Sequence, residues 1–101
     1  MIRVKIHSAY RRTVAISDSE LLGKKFAEGQ LQIEVSKDFF DGKEVNEEEL
    51  TRILKEEQGE DSTFNFVGNK SVAMGIRAGI IGKGKESVIK IQGIPTALSL
   101  L

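Results

Sequence analysis

The sequence predicts an α+β domain: a mixed or antiparallel sheet of about five strands covered chiefly on one face by three helices. Three observations predict it. Apolar residues alternate with polar ones at a period of two in several short segments, which marks half-buried strands. Capping signatures open helical patterns between those segments. The resulting order, β-β-α-β-α-β-α-β with a terminal extended stretch, lacks the strict strand–helix alternation of a doubly wound sheet.

Ile2, Val4 and Ile6 alternate with Arg3, Lys5 and His7, so the first strand begins at once. Residues 8–12 read as a turn, after which Thr13, Val14, Ala15 and Ile16 pair back antiparallel with Val14 and Ile16 facing in. Ser17 and Glu20 have capping-box spacing, and Ile16 with Leu21 fits a hydrophobic staple. These predict a first helix through Phe26, with Leu22 and Phe26 on its buried side and Gly29 in the left-handed position that ends it. Leu31, Ile33 and Val35 then alternate with Gln32, Glu34 and Ser36 as a third strand, and residues 38–43 carry turn chemistry around Gly42.

The second helix has the fullest set of signals. Asn46 caps it, Glu49 completes the Asn-x-x-Glu box, Val45 and Leu50 form a staple, and three glutamates occupy the dipole-favoured first turn. Leu50, Ile53 and Leu54 make its apolar stripe. After a polar break at residues 59–62, the stretch TFNFV at 63–67 reads as a strand with two aromatics on one face. Gly68 and Asn69 turn the chain into a third helix. Val72, Ala73, Ile76 and Ile80 recur at its apolar spacing, and Lys70, Met74 and Arg77 fall on or near the other side. Gly79 or Gly82 ends it. Residues 88–91 form a further strand, Gly93, Ile94 and Pro95 break it, and residues 97–101 are a last extended segment.

With 101 residues, no internal repeat and no long linker, the chain is one domain spanning 1–101. A composition of 40% apolar and 30% charged residues is globular and excludes global disorder. No apolar stretch approaches the ~20 residues of a membrane span, and Met1 leads into a charged alternating segment in place of a signal peptide; both point to a cytoplasmic protein away from membranes. Cysteine is absent and His7 is the single histidine, which excludes disulfides, thiolate nucleophiles and multi-histidine metal sites and implies no cofactor.

The formal charge of zero hides a polarised layout. Residues 1–12 and 62–101 are each net positive, while residues 34–61 carry eleven acids against Lys37, Lys43, Arg52 and Lys55. Separated basic and acidic surfaces can present a local positive patch. Within the basic C-terminal part, the Gly-Asn-Lys-Ser run at 68–71 opens a helix after a strand. Its backbone donors and Lys70 could receive a phosphate, although it lacks the glycine spacing of a Walker A loop and equally reads as an ordinary helix start. The Gly-Lys-Gly-Lys run at 82–85 offers Lys83 and Lys85 to a phosphate backbone, or is a plain solvated turn. Lys70, Ser71, Arg77, Lys83 and Lys85 are therefore the candidate nucleic-acid or anion-binding set. The glutamates of residues 47–57 read as a solvated helix face, His7 adjoins no nucleophile motif, and Phe64 and Phe66 serve core packing better than base stacking. No catalytic set emerges.

The stretches DSELLGKKFAEG at 18–29, LQIEVS at 31–36 leading to Phe40 and Gly42, VNEEE at 45–49, NFVG at 65–68 and IQGIP at 91–95 occur in an order that resembles an archaeal family known as domain of unknown function number 424. Where the family pattern often has a histidine after the proline, this chain has Thr96. The resemblance implies a compact α+β protein of the archaeal cytosol, working beside the translation or RNA-processing machinery.

Together these readings lead to a non-catalytic accessory module that binds RNA or a ribonucleoprotein through its basic C-terminal half, with the acidic helix facing a protein partner. One alternative is a small enzyme or binder of an anionic molecule with a pocket at the glycine turns 68–71 and 93–95. Another is a protein-complex subunit without nucleic-acid contact. Lys70, Arg77, Lys83 and Lys85 on one surface would favour the first; a concave site joining the glycine turns the second; an exposed apolar patch near Leu98 and Leu100 the third.

Overall fold

The structure, a computed structural model, describes residues 1–8, 11–82 and 88–99. In chain order it comprises β1 (Ile2–Ser8), β2 (Arg12–Asp18), a 3-10 turn at Ser19–Leu21, β3 (Lys25–Glu28), β4 (Leu31–Glu34), α1 (Lys37–Phe40), β5 (Lys43–Val45), α2 (Glu47–Gly59), β6 (Thr63–Val67), α3 (Asn69–Arg77), β7 (Ile89–Ile91) and β8 (Ile94–Ser99). Six strands form one mixed sheet in the order β5-β1-β2-β6-β8-β7, and β3 with β4 forms a separate two-stranded ribbon. Only the β2–β6 pair is parallel among these. The α+β class, the mixed sheet and the three helices are as the sequence predicts, with one more strand in the main sheet.

Alternation sorts the β-sheet side chains into two apolar layers. Val4, Val14, Ile16, Phe64 and Phe66 point to one face and pack beneath Leu50 and Leu54 of α2 and Val72 and Met74 of α3. Ala15 and Val67 point to the other face, beneath Leu21, Val35 and Phe40. The sheet is thus covered on both faces, not chiefly on one, because α1 and the β3–β4 ribbon lie opposite α2 and α3. Phe64 and Phe66 stack with ring centroids 6.0 Å apart inside the first layer, the packing role the sequence assigns them.

The helix expected from Ser17 to Phe26 does not form. Ser17 and Asp18 are instead the buried last residues of β2, and only the short 3-10 turn follows. The chain then reverses at Gly29 and Gln30, where Phe26 pairs with Ile33 across the ribbon. The turn expected at residues 38–43 holds the one-turn helix α1, capped by Ser36, whose Oγ accepts from Phe39 N at 3.3 Å.

Helix α2 is built as its sequence dictates. Asn46 Oδ1 accepts from Glu49 N at 2.8 Å, and Val45 and Leu50 are both buried at its entry. Asn46→Ala is expected to cost about 1 kcal/mol. At roughly 4–8 °C per kcal/mol for a domain of this size, a melting curve resolves the loss; a curve overlaying the parent's would refute the cap's role.

Helix α3 ends at Gly79, where Ile80 N bonds Gly75 O and Gly79 N bonds Ile76 O, both at 3.0 Å, in a Schellman arrangement. Its buried face is Ser71, Val72, Met74 and Gly75, while Ala73 is exposed, so the face is rotated from the expected one. Gly75 causes the rotation. A Cβ there would lie 2.6 Å from Ile81 Cδ1 and 2.9 Å from Phe66 Cζ, so only glycine lets the helix come this close to the sheet.

The strand expected at residues 88–91 does end at Ile91, but Ile94 and Pro95, expected in the break after it, already lie within β8. Gly68 N donates to Pro95 O at 2.9 Å, and the Gly68 carbonyl, which a proline nitrogen cannot serve, accepts from Val72 N at 3.0 Å in the first turn of α3. The helix supplies the bond that the strand lacks. Among the described residues no helix is long and apolar enough to cross a membrane.

Candidate functional site

The parallel register Ser17↔Val67 sets the end of β2 beside the end of β6, which delivers Asp18 to the start of α3. Asp18 is 3% exposed. Its Oδ2 accepts from Lys70 N at 3.1 Å, and its Oδ1 accepts from both Ser71 N and Ser71 Oγ at 2.8 Å. Gly68 makes room for it: its φ is +112°, and a Cβ there would run into the Asp18 carboxylate. The positive end of α3 therefore holds an anion supplied by the chain itself.

This arrangement divides the candidate set. Ser71 is fully buried, with backbone and hydroxyl donors turned to Asp18. Lys70 and Arg77 project from the exposed side of the same helix. Arg77 Nη1 lies 3.3 Å from Glu47 Oε1, with side-chain exposures of 66% and 65%, so the pair is a surface ion pair of small strength. Lys83 and Lys85 lie outside the described residues. Lys70 also borders a cleft of about 240 Å³ lined by Met1, Ile2, Val45, Asn46 and Glu47.

Two further constellations were not legible in the sequence. At the opposite end of β2, Arg12 Nε and Nη2 reach Glu57 Oε1 and Oε2 at 3.1 and 2.8 Å, and Ser62 Oγ donates to Glu57 Oε1 at 2.7 Å. The guanidinium's hydrogen bonds hold the Glu57 carboxyl below the ordinary carboxylate range against the opposing effect of burial, and the carboxylate in turn raises Arg12. On the second face, the His7 ring stacks on Phe39 at 4.7 Å between centroids, and Nε2 donates to Phe39 O at 2.9 Å. Farther along that face Leu98 pairs across from Asn65, and both Leu98 and Ile89 are more than half exposed. Among the described residues no three His, Cys, Asp or Glu side chains gather as a metal site.

The fold and this site define a small α+β domain whose mixed sheet is clasped on both faces and whose third helix is capped by a carboxylate from a distant strand. The chain belongs to the family DUF424, described as protein of unknown function, which matches residues 6–100. An uncharacterized conserved protein from Methanopyrus kandleri, seen in a crystal structure, is similar in fold, with a TM-score of 0.81 at 18% identity over 96% of this chain and 88% of that one. No curated protein matches the sequence.

Proposed function

We propose that this protein is a non-catalytic accessory module that binds RNA or a ribonucleoprotein of the translation or RNA-processing machinery, through the solvent side of α3 and the basic stretch that follows it. The observation that carries the reading is the placement of Lys70 and Arg77 seven residues apart on the exposed side of one helix, roughly 10 Å along its axis. Arg77 can exchange its solvated Glu47 partner for a phosphate at little cost. In the sequence Lys83 and Lys85 follow Arg77 closely, and both lie outside the described residues.

Titrating structured and single-stranded RNAs tests this reading. Each neutralised phosphate contributes about 0.7–0.9 to the slope of log affinity against log salt, so a four-cation footprint gives a slope of roughly three. Replacing Lys83 and Lys85 with alanine flattens it and weakens different sequences about equally, because phosphate contacts position without reading bases. Absence of binding at low salt, or indifference to these lysines, overturns it.

The exposure of Leu98 and Ile89 on one sheet face supports a second reading, a subunit that meets a protein partner there. The partner would then copurify with the parent chain and be lost from Leu98→Glu. An anion pocket joining the two glycine turns has less support: the turns meet through Gly68 N and Pro95 O, and Asp18 takes the helix-end donors.

A further inference from the structure

We propose that the corner formed by the start of β1 and the end of β2 binds one ordered water molecule as a fixed part of the fold, held by Arg3 Nε, Ser17 Oγ and Ser19 Oγ. Each of these three atoms is buried and has no hydrogen-bond partner among the described residues. The strand register gathers them. Arg3 stands directly across from Ser17, which sets their Cβ atoms about 4.5–5.5 Å apart. Asp18 is extended, with φ −63° and ψ 135°, and Ser19 N donates to Met1 O at 2.9 Å. The ladder therefore runs one pair past β2, and Ser19 falls on the same face as Ser17. That is the face of Ala15 and Val67, beneath Leu21, Val35 and Phe40, and Ser17 itself is 0% exposed. It lies opposite α3, so the site is independent of the RNA reading.

A buried donor left unmade carries the full desolvation cost of its group, and native chains satisfy the great majority of such groups. Protein atoms do not do so here. Arg3 Nη1 is taken by Asp41 Oδ1 and Gly42 O at 3.3 and 3.2 Å, while Nε lies 3.9 Å from Glu44 Oε2, outside hydrogen-bond range. Polar groups at such separations are joined through water. One water spans two groups up to about 5.6 Å apart, twice a bond of ~2.8 Å, and in buried sites it makes about three hydrogen bonds, the number of groups gathered here. Charge selects water over an ion. Arg3 already faces Asp41 and Glu44, so an anion would meet two carboxylates and a cation would meet the guanidinium. A neutral molecule that both donates and accepts answers one N–H donor and two hydroxyls. Thr96 Oγ1 is likewise buried without a partner, but it lies two strands from Ser17 across Val67, roughly 10 Å away, too far to share the molecule.

A high-resolution crystal structure of the full chain tests the site. It is expected to show one water within about 2.7–3.2 Å of Ser17 Oγ and of Ser19 Oγ or Arg3 Nε, and to lose that water in Ser17→Ala. Melting curves give a second readout, because groups that share one molecule are coupled and distant ones are not. Ser17→Ala alone is expected to lower the midpoint by about 4–8 °C. Combined with Ser19→Ala it should lose clearly less than the two single losses together, since the second hydroxyl has no water left to hold. Combined with Thr96→Val the losses should add. Each substitution removes or replaces only a hydroxyl, so the variants remain folded, which cooperative melts verify. No water bridging Ser17 to Ser19 or Arg3 overturns the proposal, as do additive losses at Ser17 and Ser19. Anomalous density at the same point after a bromide soak would mark an anion site and overturn it too.

Discussion

Asp18→Ala is expected to lower the melting midpoint by more than ~10 °C, at a cost of about 3 kcal/mol. The loss exceeds that of an ordinary cap because the carboxylate serves three donors, of which Ser71 N and Ser71 Oγ lie in a fully buried residue where water cannot replace it. Ser71→Ala removes one of these bonds and leaves the two backbone bonds, so about 1 kcal/mol is expected there. Small anions add a sharper check. The donors left in Asp18→Ala face a space the size of a carboxylate at the positive end of α3, so formate should recover part of the lost midpoint in the variant and leave the parent unchanged. A variant melting with the parent, or one indifferent to formate, would show that Asp18 does not hold the helix.

The features legible in the sequence are those whose determinants sit within a few residues of one another. Asn46, Glu49, Val45 and Leu50 settle the start of α2 locally, and the alternation of residues 2–7 and 13–16 settles the first hairpin. Ser17 to Phe26 carries the same kind of local signals, but a distant demand prevails: β2 pairs in parallel with β6, 50 residues on, and this register spends Ser17 and Asp18 on the sheet and on α3. The buried face of α3 departs from its hydropathy pattern for a related reason. Hydropathy favours Ala73, whereas Gly75 and Ser71 are inside because one fits against Phe66 and the other answers Asp18. Pro95 signals a break in the sequence because nothing near it reveals that Val72 will serve the carbonyl it leaves. In the candidate site, Lys70, Ser71 and Arg77 were legible as the opening and exposed side of a helix after a glycine, but nothing local to 68–71 announces Asp18, and nothing pairs Arg12 with Glu57 before the sheet and α2 are assembled.

That Arg12–Glu57 pair yields the other large effect, which depends on pH. Glu57 is 5% exposed, whereas the Arg12 side chain is 38% exposed, so the two partners are not equivalent. Glu57→Gln leaves a guanidinium that can turn to water and is expected to cost on the order of 2 kcal/mol at neutral pH. Arg12→Ala leaves a buried carboxylate supported only by Ser62 and is expected to cost more. The sign of the pH dependence follows from the lowered Glu57 carboxyl. Its contribution to stability is complete above the ordinary glutamate range near 4.3 and is lost as pH falls through the lower folded-state value. The parent therefore loses stability on acidification by an amount that Glu57→Gln does not, and the gap between them narrows below about pH 4. Arg12→Ala should close on the parent sooner, because without the guanidinium burial raises the Glu57 carboxyl, and protonation then relieves the variant at a pH where the parent still holds its charge. Urea unfolding of the three proteins between neutral pH and pH 3 measures both gaps. Deficits that stay constant across that range, or a larger neutral-pH loss in Glu57→Gln than in Arg12→Ala, would show that Glu57 is not held as a buried carboxylate by Arg12.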